Sequence, residues 1–338
     1  MKPIQIINND YTHKLHIGFI IGTTCNYKCH YCFDGCNDGK YRFPADVELL
    51  KTNLAYIINF YRDNVNKTDI RLHITGGEPT LWPELGEFTQ YVTQETGAKV
   101  SLSTNGTRTL RFWKQYARYF DDIGISIHNE RCNPNHIIEV MDEVYNNSPD
   151  VLINGTVLMD PFNWDKSAAI AEQLIAHPTP WVLKVRPVLF DGEMKHFSQD
   201  QIEFMRRKVE KIPPLDRIDR YKELGVIQQD EPDIKVLLDN GTEVKYNTFN
   251  ILENNWQHFE GWECNLGIDR FAIERDGAIQ GACGQKTLFN LDHSLNIYDP
   301  SLPNKYTLDM IRPTICQQRQ CLCATDIRLP KRIIKIYE

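Results

Sequence analysis

The residues best equipped for chemistry lie in Cys25-Asn26-Tyr27-Lys28-Cys29-His30-Tyr31-Cys32, where three thiols fall in a C-x3-C-x2-C spacing. Three such thiolates can hold three irons of a 4Fe–4S cube and leave the fourth iron open; ferredoxin-type carriers complete the set with a fourth Cys. An open iron can bind a substrate or a cofactor. Zinc is the competing reading: it wants a fourth ligand, which Cys36 or His30 could offer. A second constellation is Gly76-Gly77-Glu78-Pro79. Its glycines lack a Cβ and let the backbone approach a ligand closely. Glu78 can accept hydrogen bonds from an ammonium, and Pro79 stiffens the exit. A third group of thiols comes late: Cys264 and Cys283, then Cys316, Cys321 and Cys323 as C-x4-C-x-C.

The elements that must position these groups alternate. The apolar run Leu15 to Ile21 reads as a strand, with the cysteine loop at its C-terminal end. A helix follows over 44–64, then strand 70–75 leading into Gly76-Gly77, and helix 83–96. Next come strand 99–103, helix 107–119, strand 123–127, helix 134–146, strand 151–159, helix 164–177, strand 181–188 and helix 199–211. Strands separated by helices argue for parallel β with right-handed crossovers.

One strand parity is apolar (Leu15, Ile17, Phe19; Ile70, Leu72, Ile74; Ile123, Ile125, Ile127), while the other carries His16, His73, Ser101, Ser103, Ser126, His128, Lys184 and Arg186. Helices would then cover the greasy face, and the polar face would line a cavity. The expected fold is α/β: a partial (β/α)6 TIM-like barrel followed by a small C-terminal α+β domain. An antiparallel sheet with one wet face is the alternative, and the intervening helices speak against it. Pro213-Pro214 marks the boundary, giving a core at 1–212 and an extension at 213–338. In that extension, hairpins are expected around Asp239-Asn240-Gly241 and Asp276-Gly277.

A chain of 338 residues has room for two domains, and 41% hydrophobic with 25% charged residues is ordinary for a globular protein. The net charge of −7, with no dense Lys/Arg run, lacks the footprint of a nucleic-acid binder. No apolar run nears the roughly 20 residues of a membrane span, and Met1 to Asp10 has no signal-peptide core. Ten cysteines in two groups plus Cys132 suit metal binding in a reducing compartment, so a cytoplasmic protein is expected.

The triad, with the aromatic Tyr31 before its last Cys, resembles the radical S-adenosylmethionine (SAM) enzymes, and Gly76-Gly77-Glu78-Pro79 matches that family's motif residue for residue. The resemblance implies that Cys25, Cys29 and Cys32 hold a 4Fe–4S cluster whose open iron is chelated by the amino and carboxylate groups of SAM. It implies that Gly76, Gly77, Glu78 and Pro79 contact the SAM amino group. Softer SAM contacts are Tyr31, Thr104 and Asn105 of Thr104-Asn105-Gly106, Ser126, and Arg186 toward the SAM carboxylate. Each of these last has a plain alternative: a turn, a helix cap, a structural ion pair. Many relatives place an Asp where this chain has His128, which leaves the role of that position open.

The late cysteines resemble the auxiliary-cluster extension known as twitch or SPASM. This implies one auxiliary 4Fe–4S cluster on four of five thiols: Cys264, Cys283, Cys321 and Cys323, with Cys316 as the alternate. Four thiolates suit zinc equally well, and the C-x-C departs from the commoner C-x2-C. Cys132, just past the fourth strand of the barrel, is a candidate hydrogen-atom donor or a packed structural thiol, and Cys36 has the same two readings.

The implied chemistry is reductive cleavage of SAM to a 5′-deoxyadenosyl radical, which takes a hydrogen atom from an unactivated C–H bond. A flavodoxin- or ferredoxin-type reductant is the implied electron source. The first expectation is oxidation, crosslinking or epimerisation of a peptide or small metabolite. With only 14 residues before the first strand, no leader-peptide domain is expected there. The alternative is a small-molecule dehydrogenase or epimerase acting on a sugar, aminocyclitol or nucleotide-like anion, which the polar parity favours. A molybdopterin-type GTP cyclase would end in paired glycines, whereas this chain ends Ile336-Tyr337-Glu338. A non-catalytic iron–sulfur carrier is the most distant reading.

Overall fold

The computed structural model describes residues 1–32, 35–188, 190, 196–207, 234–281, 295–321 and 324–334. Its strands are β1 (Pro3–Ile7), β2 (Lys14–Ile20), β3 (Asp69–Thr75), β4 (Lys99–Thr104), β5 (Asp122–His128), β6 (Leu152–Met159) and β7 (Val182–Pro187). After these come β8 (Ile234–Leu238), β9 (Glu243–Tyr246), β10 (Trp262–Cys264), β11 (Arg270–Ile273), β12 (Ile279–Gln280), β13 (Thr314–Ile315) and β14 (Lys331–Ile333). The longer helices are α1 (Val47–Val65), α2 (Leu85–Thr96), α3 (Leu110–Tyr116), α4 (Pro134–Asn147), α5 (Trp164–Ala176) and α6 (Gln199–Arg207).

Strands β2 to β7 follow one another in a sheet of order β12-β11-β2-β3-β4-β5-β6-β7. The registers are parallel where the barrel chemistry is expected, for example Ser126 opposite Thr156 and Thr156 opposite Lys184. This is a partial (β/α)6 barrel, and its helices start where local chemistry tells them to. Asp46 accepts from Leu49 N (2.9 Å) to cap α1, and Asn66 at φ 58° closes the other end. Asn133 accepts from the N–H groups of Asn135 and His136 ahead of α4, with Pro134 in the first turn. Leu50, Leu54, Ile57, Ile58 and Tyr61 form the buried stripe of α1. Burying each such side chain contributes roughly 1.5–3 kcal/mol.

The parity read from the strands holds. Leu15, Ile17, Phe19, Ile70, Leu72, Ile74, Ile123, Ile125 and Ile127 are buried, while His16, Ser101, Ser103, Ser126, His128, Lys184 and Arg186 are half-buried and His73 is exposed. His73 bridges Ser101 Oγ (2.9 Å) and Ser103 Oγ (3.1 Å), a small polar network on that face.

Two features depart from expectation. The polar N-terminus contains β1, which pairs antiparallel with β8 and β14 inside a six-stranded sheet of order β13-β10-β14-β1-β8-β9. The hairpin turning at Gly277 (φ 83°) does form, but its β11 lies parallel to β2, with Arg270 opposite His16 and Ile273 opposite Phe19. A turn signal fixes a hairpin locally; it does not say which sheet edge will accept it.

By compactness the chain forms two units, Met1–Ile20 with Asp46–Leu72 and Gln228–Glu338, and Ile21–Ala45 with His73–Ile227. Pro213 and Pro214 lie outside the described residues. The first unit buries an ion pair between Lys67 and Asp269, and Lys67 also donates to the carbonyls of Tyr11 (2.7 Å) and Thr12 (3.3 Å). The second unit contains the cysteine loop and the ends of β4 to β7.

Candidate active site

The cysteine loop is built outward from Gly22 and Thr23. Thr23 N donates to Tyr41 O (2.8 Å), Gly39 N donates to Thr23 O (3.1 Å), and the Thr23 hydroxyl donates to Asp38 (2.5 Å). Lys28 Nζ reaches Asn37 O at 2.8 Å, so the segment closes on itself. Within it Cys32 N donates to Cys29 O (3.2 Å), and Tyr27 N donates to Cys25 Sγ (3.3 Å). Cys25 and Cys32 are half-buried, Cys29 is buried, and none of the three is in a disulfide.

Gly76 and Gly77 adjoin this loop. Gly77 N donates to Gly22 O (3.0 Å) and Glu78 N to Thr24 O (2.8 Å). A Cβ on Gly76 would lie 2.6 Å from Gly22 O, and one on Gly77 would lie 2.7 Å from the Thr24 carbonyl carbon and closer still to its oxygen. The glycines therefore admit the backbone that enters the cysteine loop.

Glu78 is almost fully buried, at 1% exposure. Its Oε1 accepts from Thr80 N (3.0 Å), Thr80 Oγ1 (2.5 Å) and Thr104 Oγ1 (2.6 Å), and its Oε2 accepts from Asn105 N (2.6 Å). Burial pushes its carboxyl above the usual range, and these donors pull against that rise. The carboxylate thus ties the end of β3 to the end of β4. Asn105 carries the connection onward: its Nδ2 donates to Asn26 Oδ1 (2.8 Å), and Asn26 Nδ2 donates to Thr107 Oγ1 (2.9 Å). Glu78, Thr104, Asn105 and the cysteine loop form one hydrogen-bonded frame. Asn26, between Cys25 and Tyr27, and Thr107, after Gly106, were missed in the sequence because a lone amide or hydroxyl in a loop reads as a turn residue.

At the end of β5, His128 turns toward the loop. Its Nδ1 lies 3.4 Å from Cys29 Sγ and 3.2 Å from the Tyr31 hydroxyl. The Tyr31 ring runs parallel to the imidazole at 5.9 Å, and the Tyr27 ring meets it edge-on at 5.8 Å. Burial lowers His128 to about 4 and raises the Cys29 thiol to about 12. Cys132 is also buried, its N–H donating to His128 O (2.9 Å), and burial pushes its thiol up. Ser126 on β5 and Arg186 on β7 are half-buried on the polar parity; Arg186 donates to Val185 O (3.2 Å). Cys36 is half-buried.

His30 is clamped from the other side. Its Nδ1 is 2.6 Å from Glu130 and its Nε2 is 3.8 Å from Asp160. Asp160 also accepts from Phe162 N (3.0 Å) and Asn163 Nδ2 (2.7 Å). Among the described residues, these are the three His, Cys or carboxylate groups whose ligand atoms lie within 4.8 Å of one another. Three thiols outside any disulfide, set on one hydrogen-bonded loop, are a donor set that fits three irons of a 4Fe–4S cluster. A coordinating cation would hold them as thiolates despite their burial.

Of the late cysteines, Cys264 on β10 packs with Tyr11, Leu266 and Leu329, while Cys316 and Cys321 pack in the cluster containing Ile6, Phe259 and Trp262. Cys316 N donates to Trp262 O at 2.8 Å. All three are buried, and none is in a disulfide. Cys283 and Cys323 lie outside the described residues. No helix is long and apolar enough to cross a membrane among the described residues.

Residues 19–174 match the family model described as the Radical SAM superfamily. The chain is 24% identical over 275 residues to an S-adenosylmethionine-dependent nucleotide dehydratase of a Thermoplasmatales archaeon, covering 73% of this chain and 89% of that protein. It is 34% identical over 111 residues to the GTP 3′,8-cyclase of Haemophilus ducreyi, a stretch covering 32% of this chain and 31% of the cyclase. A solved structure of anSMEcpe with bound AdoMet is a looser likeness: 16% identity and a TM-score of 0.47, over 85% of this chain and 78% of that one. Residues 19–174 thus carry a radical SAM domain, set on a partial (β/α)6 barrel.

Proposed function

We propose that this chain takes a hydrogen atom from a C–H bond of a small anionic, nucleotide-like metabolite. A radical SAM domain implies a 4Fe–4S cluster and SAM; when bound, they supply a 5′-deoxyadenosyl radical to the substrate. The cluster falls to Cys25, Cys29 and Cys32. The observation that carries this assignment is the frame joining the triad loop to β3 and β4 through Gly77, Glu78, Asn105 and Asn26. It holds the loop in a fixed geometry at the C-terminal ends of the strands, where barrel enzymes keep their chemistry.

Glu78 orients the loop: its Oε1 accepts from Thr80 and Thr104, its Oε2 accepts from Asn105 N, and the side chain is only 1% exposed. The backbone of Gly76, Gly77 and Pro79 and the side chains of Tyr31, Ser126 and Arg186 are left as the SAM contacts. Thr104 and Asn105 serve the frame.

Two observations support a nucleotide-like substrate over a peptide. The named relative aligned along most of this chain acts on nucleotides, and the strand parity facing away from the core is hydroxylated and cationic (Ser101, Ser103, Ser126, Lys184, Arg186). One auxiliary cluster on four of Cys264, Cys283, Cys316, Cys321 and Cys323 belongs to the same proposal, as does a flavodoxin- or ferredoxin-type reductant.

The substrate radical has three balanced fates. Loss of one electron and one proton gives an oxidised product. Gain of one electron and one proton with departure of water gives a dehydrated one. Gain of a hydrogen atom from the Cys132 thiol gives an epimer and a thiyl radical, which one electron from the reductant and one proton return to the thiol. The second has the support of the dehydratase relatives; the third has that of a buried thiol kept protonated.

The test is anaerobic incubation of reconstituted full chain with dithionite, SAM and a panel of nucleoside mono-, di- and triphosphates or short peptides. Nucleotide-dependent 5′-deoxyadenosine formation is expected, with a product lacking the elements of water. Stimulation by peptides alone would overturn the substrate class. No 5′-deoxyadenosine above background from loaded enzyme would overturn the reading altogether.

A further inference from the structure

The sulfur of Cys29 is met by two side-chain donors from different parts of the chain. His128 brings Nδ1 to 3.4 Å from the end of β5, and the Tyr31 hydroxyl hydrogen-bonds the same sulfur from within the loop. The donors also contact each other, Tyr31 oxygen to His128 Nδ1 at 3.2 Å. The imidazole is held between the rings of Tyr27 (5.8 Å, edge-on) and Tyr31 (5.9 Å, parallel), so it is not free to swing away.

A thiolate bound to iron can only accept. In that state Nδ1 must carry the ring proton of His128, and the Tyr31 O–H must also point at sulfur. Two hydrogen bonds then converge on one ligand. Donors of this kind stabilise negative charge on sulfur, and the reduced cluster has one electron more than the oxidised one. They therefore favour reduction, since hydrogen bonds to the sulfurs are among the factors that set a cluster's potential.

We propose that His128, seconded by Tyr31, raises the reduction potential of the N-terminal cluster by donating to Cys29 sulfur. This is the chemistry of a position that reads in the sequence only as a departure from the family pattern. The inference rests on the assignment of the cluster to Cys25, Cys29 and Cys32. It needs no contact between His128 and substrate.

The experiment is an anaerobic redox titration of the reconstituted full chain followed by electron paramagnetic resonance. The N-terminal cluster is identified as the signal that changes on adding SAM. His128→Phe keeps an aromatic ring and removes the donor; His128→Gln keeps a donor of similar reach. Reduction of the Phe variant is expected to be about tenfold less favourable, equivalent to ~59 mV for one electron. His128→Gln should recover at least half of the change, and Tyr31→Phe should shift the potential in the same direction. A potential in His128→Phe and Tyr31→Phe equal to that of the unchanged protein would overturn the proposal. So would equal shifts in His128→Phe and His128→Gln. If His128→Phe fails to hold iron, the comparison of His128→Gln and Tyr31→Phe with the parent decides. A parent protein with no SAM-responsive cluster would instead sink the cluster assignment.

Discussion

Replacing Glu78 by Gln changes one oxygen to NH2 and almost nothing in volume, yet the surroundings leave that NH2 no place to go. One carboxylate oxygen faces Thr80 N–H at 3.0 Å and the other faces Asn105 N–H at 2.6 Å. Both are backbone donors whose directions are fixed. Whichever way the amide is turned, one backbone N–H confronts an NH2 group. The hydroxyls of Thr80 and Thr104 can rotate; the backbone cannot. A hydrogen bond to a charged acceptor is worth ~1.5–3 kcal/mol, and a buried donor left unsatisfied costs about 1–3 kcal/mol. At 1% exposure no water replaces the lost acceptor. We expect Glu78→Gln to lose ~2–4 kcal/mol. At roughly 2–4 °C per kcal/mol for a domain of this size, the unfolding midpoint should fall by roughly 4–16 °C. Thermal unfolding followed by circular dichroism measures this, with iron content as a companion reading. Thr104→Val removes both a donor to Glu78 and the acceptor of Gly106 N (3.1 Å), so it should be destabilising as well, by about 1–3 kcal/mol. A Gln variant as stable as its parent but weaker in SAM binding would refute the frame. It would return Glu78 to the ammonium-binding role expected from the sequence.

Other consequences can be tested separately. Gly77→Ala must push apart the end of β3 and the entry to the cysteine loop, because its Cβ would collide with the Thr24 carbonyl; iron bound per chain should fall at least several-fold, with Gly18→Ala, whose Cβ would meet its nearest neighbours only at 3.9 Å, as the control. Lys67→Met strands the buried Asp269 carboxylate and should cost about 3–5 kcal/mol in denaturant unfolding, while the double change with Asp269→Leu should recover most of it. Burial, aided by Arg71, Arg270 and Lys14, depresses His16 to about 3, so the unfolded chain binds the extra proton between pH 6.5 and 3. Stability from this group is complete above pH 6.5 and is lost as pH falls through that window, with a slope of at most ~1.4 kcal/mol per pH unit; His16→Asn should flatten the acid limb of the stability profile, and an unchanged limb would contradict the assignment. Cys132→Ala should abolish solvent deuterium uptake into product if the thiol is the hydrogen-atom donor, and uptake that survives removes it from that role.

The chain's order of elements and the inward parity of its strands were legible without coordinates. Leu15, Ile17 and Phe19 alternate with His16, and a strand can bury only every second side chain on one face, so period and topology follow from local pattern. The triad and Gly76-Gly77-Glu78-Pro79 were legible for a similar reason: their members lie close in sequence, so spacing alone constrains geometry. β1 was missed because its partners, β8 and β14, lie hundreds of residues away. The sheet edge taken by β11 was likewise undecidable from its turn.

What only tertiary structure decided is how residues distant along the chain share atoms. Glu78 is engaged by Thr104 and Asn105, Asn105 by Asn26, Cys29 by His128, and His30 by Glu130. Residue types state what can donate and accept. Which donor meets which acceptor depends on the arc of the barrel bringing the ends of separate strands to one rim, and no local pattern encodes that arrangement.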